Sequence, residues 1–255
     1  MGEQPLIPPS DLLSSVSRAL RVLEAVGGTP RGLTVKQVAS RCGLNSATVY
    51  HIVRTLTYEG YLVRREDGTF TAGLQVAHRY RDLREAIRPS AAVTDELRRL
   101  AVDTGYTHCL AQFVDGRITL TAVAPGPRTA HHDQLVPGFH EAPHVTAWGL
   151  ALLSTLTPTR ASYLKQAPTS NLGTSTVSDV EALNPTLTTA NRGRLHSESG
   201  HYHPATATAA VLVSTAGQPA ALACVLSTAD LQRTEHTVRK RLVTAATRIT
   251  KTPPT

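Results

Sequence analysis

The stretch that decides the fold of the first third of the chain is Thr34–Thr71, with the sequence TVKQVASRCGLNSATVYHIVRTLTYEGYLVRREDGTFT. Its apolar residues repeat twice with helical spacing, which predicts two short helices that each carry one apolar stripe. Gly43 lies between them, where a helix commonly ends in a left-handed residue, and Asn45 or Ser46 can cap the second helix. The first stripe consists of Val35, Val38, Ala39 and Cys42, and the second of Val49, Ile52, Val53 and Leu56.

A third helix precedes this pair and a hairpin follows it. Ser14 or Ser15 is placed to cap a helix that ends at Gly27-Gly28. Asp67-Gly68 separates two short β-prone runs, 61–63 and 69–71, which is a strong signal for a hairpin. Three helices and a hairpin predict a winged helix-turn-helix at 14–73, after a disordered tail at 1–13. The inward residues predicted for the first helix are Val16, Leu20 and Leu23, alongside Ala19, Val22 and Val26.

Because the three helices bury their stripes against one another, one face of the second helix of the pair points outward. In a helix-turn-helix this face lies in the major groove of DNA. The alternative is an ordinary solvated helix face, and Arg64 and Arg65 beside the hairpin are either surface charges or phosphate contacts. The residues predicted to bind DNA are Thr34, Lys36, Asn45, Ser46, Ala47, Thr48, Tyr50, His51, Arg54, Thr55, Arg64 and Arg65.

The rest of the chain is predicted to form a separate domain. A linker helix at 74–89 ends before Pro89, because the residue that precedes a proline is disfavoured in a helix. Helices that flank an antiparallel sheet predict an α+β fold for residues 90–255. The predicted elements are a helix at 92–104, strands at 108–114 and 117–124, a buried helix at 145–156, a flexible loop at 166–178, a hairpin of 207–213 with 220–226, and a closing helix at 237–250.

The composition indicates a cytoplasmic protein. The chain has 255 residues, enough for one large domain or two ordinary ones, and a mildly basic net charge of +7. Cys42, Cys109 and Cys224 have no paired spacing, which favours reduced thiols. The first residues lack the basic and apolar segments of a signal peptide, and no apolar run is long enough to predict a membrane span.

Together these segments resemble the IclR family of bacterial transcription regulators, from about Val16 to Ile249. The resemblance implies a winged helix-turn-helix joined to a GAF-like effector-binding and oligomerisation domain. It also implies a pseudo-palindromic operator, a small organic effector, and a homodimer or homotetramer, without catalytic activity or a cofactor. We expect a repressor. The motifs that carry the resemblance include RALRVLEAV at 18–26, GYL at 60–62, LRRLAVDTGYTHCLA at 97–111, DGR at 115–117, HVTAWGLALLSTL at 144–156 and AAVLVSTAGQPAAL at 209–222.

The recognition helix departs from the family pattern. Members commonly have P-K-S-T-V-H-R where this chain has Asn45–His51, so that Ser46 and His51 stand in place of two basic residues. A neutral histidine cannot make the two-pronged contact of an arginine with guanine or phosphate. Arg54, one turn further along, is the candidate for that contact, and we expect an operator unlike the common family type.

The effector site also departs from the family. By motif, the residues that often contact small carboxylates correspond to Ser197, Ala207, Ala223 and Val225, so most of the polar groups are missing. Stripping water from a carboxylate is costly unless polar partners replace it. We therefore expect an effector larger and less polar than glyoxylate or pyruvate, or no effector, with Trp148 as a packing residue or a stacking platform. The predicted effector-binding residues are His144, Thr146, Ala147, Trp148, Ser197, Ala207, Ala209, Ala223 and Val225.

The sequence leaves two other functions open. His140 and His144 have a spacing that can present two imidazoles to one Zn²⁺, with Asp133 as an oxygen ligand, which favours a metal sensor or a metal-dependent enzyme. The opposing interpretation is that these segments are loops and the histidines are scattered. The third function is a constitutive DNA-binding protein whose second domain only oligomerises. We find no GxSxG, phosphate-binding loop or HExxH motif. The other histidines concerned are His131, His132, His196, His201 and His203.

Overall fold

The computed structural model describes residues 11–129, 135–139, 143–156 and 194–251. The chain divides into two compact units, Met1–Leu83 and Arg84–Thr255, and each is described by itself. The division falls within the helix that the sequence predicts as a linker. Residues 1–10 of the predicted tail and the predicted loop at 166–178 lie outside the described residues. None of the described helices has the length and apolar character needed to cross a membrane.

The first unit contains three helices and a two-stranded hairpin, and it extends into the helix that follows the hairpin. The elements are α1 Ser14–Gly27, α2 Val35–Cys42, α3 Ser46–Tyr58, β1 Leu62–Arg64 and β2 Phe70–Ala72. The strands pair antiparallel, with Val63 opposite Thr71. Each helix is too short to be stable alone, so the three bury their stripes in a common core. That core contains Val22, Val26, Leu33, Val38, Ala39, Val49, Val53, Leu62 and Phe70.

Local capping fixes where the two helices of the motif begin and end. Thr34 and Gln37 form a capping box at the start of α2, in which each side chain accepts from the other residue's backbone N–H. Gly43 follows α2 at a φ of 64°, in the left-handed region predicted for it. Of the two residues predicted to cap α3, Asn45 does so, because its Oδ1 accepts from the Thr48 N–H at 2.7 Å.

The structure corrects the inward face predicted for α1. Val22 and Val26 are buried, whereas Val16 and Leu20 are 51% and 54% exposed. The prediction was wrong because helical spacing identifies an apolar stripe but not how far along it the neighbouring helices reach. Leu13 is the N-cap residue and makes no side-chain capping bond, so neither of the predicted serines caps this helix.

The helix α4 spans Leu74–Ala86, within the predicted linker, and none of its side chains is buried. Ion pairs join Arg79 to Asp82 and Arg88 to Glu85, each at 3.2 Å. An isolated helix of this length is marginally stable in water, so such ion pairs and the hydrogen bond from the Gln75 N–H to the Gly60 carbonyl at 3.2 Å support α4.

The second unit is an antiparallel sheet with helices on both faces. Its elements are α5 Ala91–Thr104, β3 Thr107–Val114, β4 Arg117–Ala124, a 3₁₀ turn Pro143–Val145, α6 Ala147–Leu153, β5 His196–His203, β6 Thr206–Thr215, β7 Gln218–Ser227 and α7 Thr228–Lys251. The strand order is β4-β3-β7-β6-β5, and neighbouring strands are antiparallel. Helices α5 and α7 pack on one face, the two-helix face, and α6 packs on the other, the α6 face.

Most predicted elements of this unit are confirmed, but two differ. The histidine-rich segment at 196–203, for which a loop was one of two interpretations, forms β5, in which His196 and Glu198 are buried although both are polar. The closing helix begins at Thr228, well before the predicted start at residue 237. Its start is fixed by Ser227, whose Oγ accepts from the Asp230 N–H at 3.0 Å, and the sequence analysis did not recognise this cap.

Successive side chains of each strand lie on alternate faces of the sheet. On β6, Ala207 and Ala209 lie on the two-helix face, whereas Ala210 lies on the α6 face. Thr208 stands opposite Val225, which packs with α6, so Thr208 shares the α6 face. A shift of one residue in this strand would therefore exchange one face for the other.

Candidate DNA-recognition face and ligand site

The outward face of α3 is the candidate surface for contact with DNA. Val49 and Val53 are fully buried in the core of the first unit, which fixes the rotation of the helix. Thr48 is half-buried beside them. The opposite side carries six of the residues that the sequence predicts to bind DNA, and all six are exposed: Ser46, Ala47, Tyr50, His51, Arg54 and Thr55.

Tyr50 is the centre of a side-chain cluster on this face. Cζ of Arg54 lies 5.6 Å from the centroid of the Tyr50 ring, within the range of a cation–π interaction. The His51 ring meets the same tyrosine edge-on, with centroids 5.8 Å apart and planes at 73°. Tyr50 itself remains 49% exposed.

Two of the other predicted DNA contacts have local roles. The Thr34 hydroxyl and the Asn45 side chain are engaged as caps of α2 and α3. Their side-chain oxygens therefore accept hydrogen bonds from backbone N–H groups in the first turns of these helices. Lys36, in the first turn of α2, is exposed.

The hairpin presents Arg64 and Arg65 to solvent at the end of β1. Its turn is held by Asp67, whose carboxylate accepts from the Thr69 N–H at 2.9 Å and from the Thr69 hydroxyl at 2.6 Å. These two hydrogen bonds lower the pKa of the Asp67 carboxyl. Gly68 follows at a φ of 80°, a conformation that favours glycine. The turn thus fixes the strand end that carries the two arginines.

Several of the predicted effector-binding residues do lie together on the α6 face. Ala147, Trp148, Ala223 and Val225 belong to one buried cluster there. Trp148 is 2% exposed and meets Tyr202 edge-on, with centroids 6.0 Å apart, so in this structure it is a packing residue. At the start of α6, Oγ1 of Thr146 accepts from the Gly149 N–H at 3.1 Å, and His144 is half-buried in the preceding turn.

The remaining three predicted effector-binding residues do not join this group. Ala207 and Ala209 lie on the two-helix face, on the far side of the sheet. Ser197 is exposed and stands opposite Ala209 in the strand register. These three residues and Trp148 thus lie on different faces, because successive residues of a strand alternate between the two faces of the sheet.

The α6 face instead carries Glu198 and Thr208, which the sequence analysis missed. The Thr208 hydroxyl donates to Glu198 Oε1 at 2.7 Å and accepts from the Ala147 N–H at 2.8 Å. Glu198 Oε2 accepts from the N–H groups of His201 and Tyr202 at 3.1 and 3.4 Å. This buried relay of hydrogen bonds, formed by Ala147, Thr208 and Glu198, connects the first residue of α6 to β5 and β6. No sequence signal favoured these residues, because small and apolar side chains occupy both faces of β6.

The titratable groups of the α6 face are shifted towards their neutral forms. Burial raises the pKa of Glu198, although its hydrogen bonds oppose that shift. Burial, and then the charge of Arg194, lower the pKa of His196 to about 4, and burial also lowers the pKa of His144. His196 stands opposite Ala210 and so lies on this face. Its Nε2 is buried without a hydrogen-bond partner in the described part of the chain.

The predicted metal site is only partly visible. His131, His132, Asp133 and His140 lie outside the described residues, so their relation to His144 stays a prediction. Within the described ranges, no three histidine, cysteine, aspartate or glutamate side chains are grouped to hold a metal ion. Burial raises the pKa of Cys109 to about 12 and also raises that of Cys224, so both thiols are protonated core residues.

Comparison by sequence identifies the first unit. The IclR helix-turn-helix domain matches residues 15–66, which include α2, α3, β1 and all of α1 after its first residue. A search of the curated proteins found no match to the chain.

Comparison of structures extends the likeness to both units. A protein classed as an IclR transcriptional regulator from Silicibacter sp. TM1040 is 25% identical, with a TM-score of 0.67 over 94% of this chain and 98% of that one. An IclR homologue from Microbacterium hydrocarbonoxydans, solved with 4-hydroxybenzoate, is 22% identical, with a TM-score of 0.68 over 94% of this chain and 100% of that one. An IclR-family regulator from Brucella abortus is 17% identical, with a TM-score of 0.71 over 100% and 97% of the two chains.

These matches agree with the order of the elements and with the motifs that first indicated the family. The winged helix-turn-helix, the linker helix and the GAF-like sheet domain occur in the order that the resemblance implies. The chain therefore carries an IclR helix-turn-helix domain at residues 15–66 and, over both units, has the α+β fold of IclR-family transcriptional regulators.

Proposed function

We propose that the protein is a ligand-responsive repressor that acts in the cytoplasm and binds a pseudo-palindromic operator as a dimer or tetramer. The observation that carries this proposal is the outward face of α3, where Arg54 and its neighbours are exposed on a helix whose rotation is fixed by Val49 and Val53. A helix presented in this way fits a major groove, and Arg64 and Arg65 on the hairpin fit the adjacent phosphates.

An apolar surface on the first unit supports self-association. Leu13, Val16 and Leu20 follow one another at helical spacing along α1 and are each more than half exposed. Exposed apolar stripes of this kind mark interaction sites, and two-fold symmetric pairing of identical chains is the commonest form of assembly. Such a dimer would present two α3 helices to two half-sites.

The α6 face supports an effector larger and less polar than glyoxylate or pyruvate. Its strand residues include Ala210, Ala223 and Val225, which offer shape but no hydrogen bonds. Its carboxylate, Glu198, already has both oxygens engaged. A small acid bound there would be desolvated beside a second carboxyl group, which is unfavourable without a cationic partner. The Microbacterium homologue, solved with 4-hydroxybenzoate, is a precedent for a ring-sized ligand in this fold.

The DNA-binding proposal is tested by selecting duplexes from a random pool with the full-length protein. We expect enrichment of a site with two related half-sites. Replacing Arg54 with alanine should then weaken binding to that site by about 1–3 kcal/mol, or roughly 5- to 150-fold. Arg98→Ala is the matched control, since Arg98 is an exposed arginine of α5 that pairs with Asp95 at 3.0 Å. Equal affinities for the two variants would remove Arg54 from the reading face.

The effector proposal is tested by titrating the complex with the selected operator. We expect micromolar glyoxylate or pyruvate to leave the operator affinity unchanged, because both oxygens of Glu198 are already engaged and a second carboxylate beside them is unfavourable. In the same assay 4-hydroxybenzoate serves as the ring-sized probe. A change of affinity with either small acid at micromolar concentration would contradict the proposal.

A further inference from the structure

The recognition face contains one contact whose function the fold does not explain. Tyr50 and Arg54 are one helical turn apart, and the guanidinium lies over the tyrosine ring at 5.6 Å. Both side chains are exposed on the side of α3 that faces away from the core. Since Tyr50 is half exposed, the contact adds little to the core of the first unit.

We propose that Tyr50 is a positioning residue that holds the Arg54 guanidinium ready to contact a guanine in each operator half-site. This inference rests on the proposed DNA-binding function and names the residue pair that gives it sequence preference. Neither Ser46 nor His51 has the planar fork of N–H donors with which an arginine binds guanine.

The geometry leaves the arginine free to bind. In a cation–π contact the aromatic ring meets the guanidinium, while the N–H donors remain available at its edges. Two of those donors match the O6 and N7 acceptors that guanine presents in the major groove. The stacked arginine is therefore limited in its motion without losing the groups that read the base.

Holding the arginine in place strengthens binding because a free arginine side chain loses much rotamer entropy when it is immobilised. The tyrosine is supported in turn by His51, whose ring packs edge-on against it at a centroid distance of 5.8 Å. An arginine that is already confined before it meets DNA loses less entropy on binding. The three side chains thus form a preorganised reading unit on a surface that is otherwise open.

The competing role for Tyr50 is direct contact between its hydroxyl and DNA. The two roles predict different behaviour for phenylalanine, which keeps the ring and removes the hydroxyl. A third possibility is that Tyr50 only shields apolar surface, in which case its removal would weaken binding whether or not Arg54 is present. A set of four variants separates these roles.

The test uses the full-length protein and the operator selected by it, with Tyr50→Phe, Tyr50→Ala, Arg54→Ala and the double variant Tyr50→Ala/Arg54→Ala. We expect Tyr50→Phe to bind within about two-fold of the natural protein and Tyr50→Ala to bind about two- to five-fold more weakly, as an exposed cation–π contact predicts. The double variant should bind no more weakly than Arg54→Ala. One operator position should be a guanine whose replacement weakens binding of the natural protein but not of Arg54→Ala. At that position Tyr50→Ala should show a reduced preference for guanine.

Each outcome decides between the roles. Equal losses for Tyr50→Phe and Tyr50→Ala would assign the hydroxyl to DNA and overturn the proposal. Additive losses in the double variant, or an operator in which Arg54→Ala changes no base preference, would overturn it as well. If the natural protein enriches no duplex at all, the DNA-binding function itself fails, and this result is distinct from an enriched operator that ignores Tyr50. Unchanged melting temperatures of the variants exclude unfolding as the cause of a loss.

Discussion

Replacing Thr208 with valine is expected to lower the free energy of unfolding of the second unit by about 2–4 kcal/mol. The Thr208 hydroxyl accepts from the Ala147 N–H and donates to Glu198, and all three residues are buried. Valine keeps the shape of the side chain, so little packing is lost. It leaves a backbone donor and a carboxyl oxygen without partners where water is excluded, and both losses are unfavourable.

Urea unfolding followed by tryptophan fluorescence measures this effect. Trp148 is the only tryptophan of the chain and is buried in α6, next to the relay, so its emission reports on the second unit. The matched control is Thr244→Val on the exposed side of α7, where the hydroxyl donates to the Lys240 carbonyl at 2.8 Å. That control should change the stability by less than about 0.5 kcal/mol. Equal unfolding midpoints for the two variants would contradict a stabilising relay.

Acidification from pH 6.5 to pH 4 is expected to remove about 2–3 kcal/mol of stability through His108 alone, at roughly 1.4 kcal/mol for each pH unit. Burial lowers the pKa of His108 from 6.5 to about 4 in the folded protein. Well above pH 6.5 the imidazole is neutral in both the folded and the unfolded state. In that range His108 does not make the free energy of unfolding depend on pH. Below pH 6.5 the unfolded chain takes up a proton that the folded chain does not, so the folded state loses stability until the pH reaches about 4.

The measurement is the unfolding free energy at several pH values for the natural protein and for His108→Gln. The variant should show a flatter decline between pH 6.5 and 4, whatever its stability at pH 7. His236→Gln is the control, because His236 is exposed on α7.

Glu198 contributes in the opposite direction, because its raised pKa favours the protonated folded state at low pH and this advantage is lost as the pH rises. Parallel declines for the natural protein and His108→Gln would show that the buried histidine does not govern acid stability.

The first unit was predictable from sequence because its signals are local. Gly43 in the left-handed region, the Asn45 cap and the Asp67-Gly68 turn each act within a few residues and occur as predicted. The error in α1 has a different origin. Whether Leu20 is covered depends on how far other helices extend, which no spacing along one helix can state.

The second unit was less predictable where its buried residues are polar. His196 and Glu198 alternate into the core of β5, so the strand has no apolar alternation to reveal it. The face on which the predicted effector-binding residues lie could not be read from the sequence for a related reason. Alanines occupy both faces of β6, so Ala207 and Thr208 could not be assigned to a face until the register with Val225 was known. Sequence reasoning could name the strands and the helix of the predicted site but not which alternate residues of those strands share the face of α6.

The exposed helix α4 limits how the two units can influence one another along the backbone. No side chain of α4 is buried, so the helix is supported by backbone hydrogen bonds, including that from the Gln75 N–H to the Gly60 carbonyl, and by exposed ion pairs such as Arg79–Asp82. Exposed pairs of this kind contribute only a few tenths of a kcal/mol each, and a helix of this length is close to balance with coil. The helix–coil equilibrium of α4 therefore opposes any conformational change that is transmitted through this segment. A change of state transmitted through α4 alone would weaken on warming, because the helical fraction of the segment falls as the temperature rises.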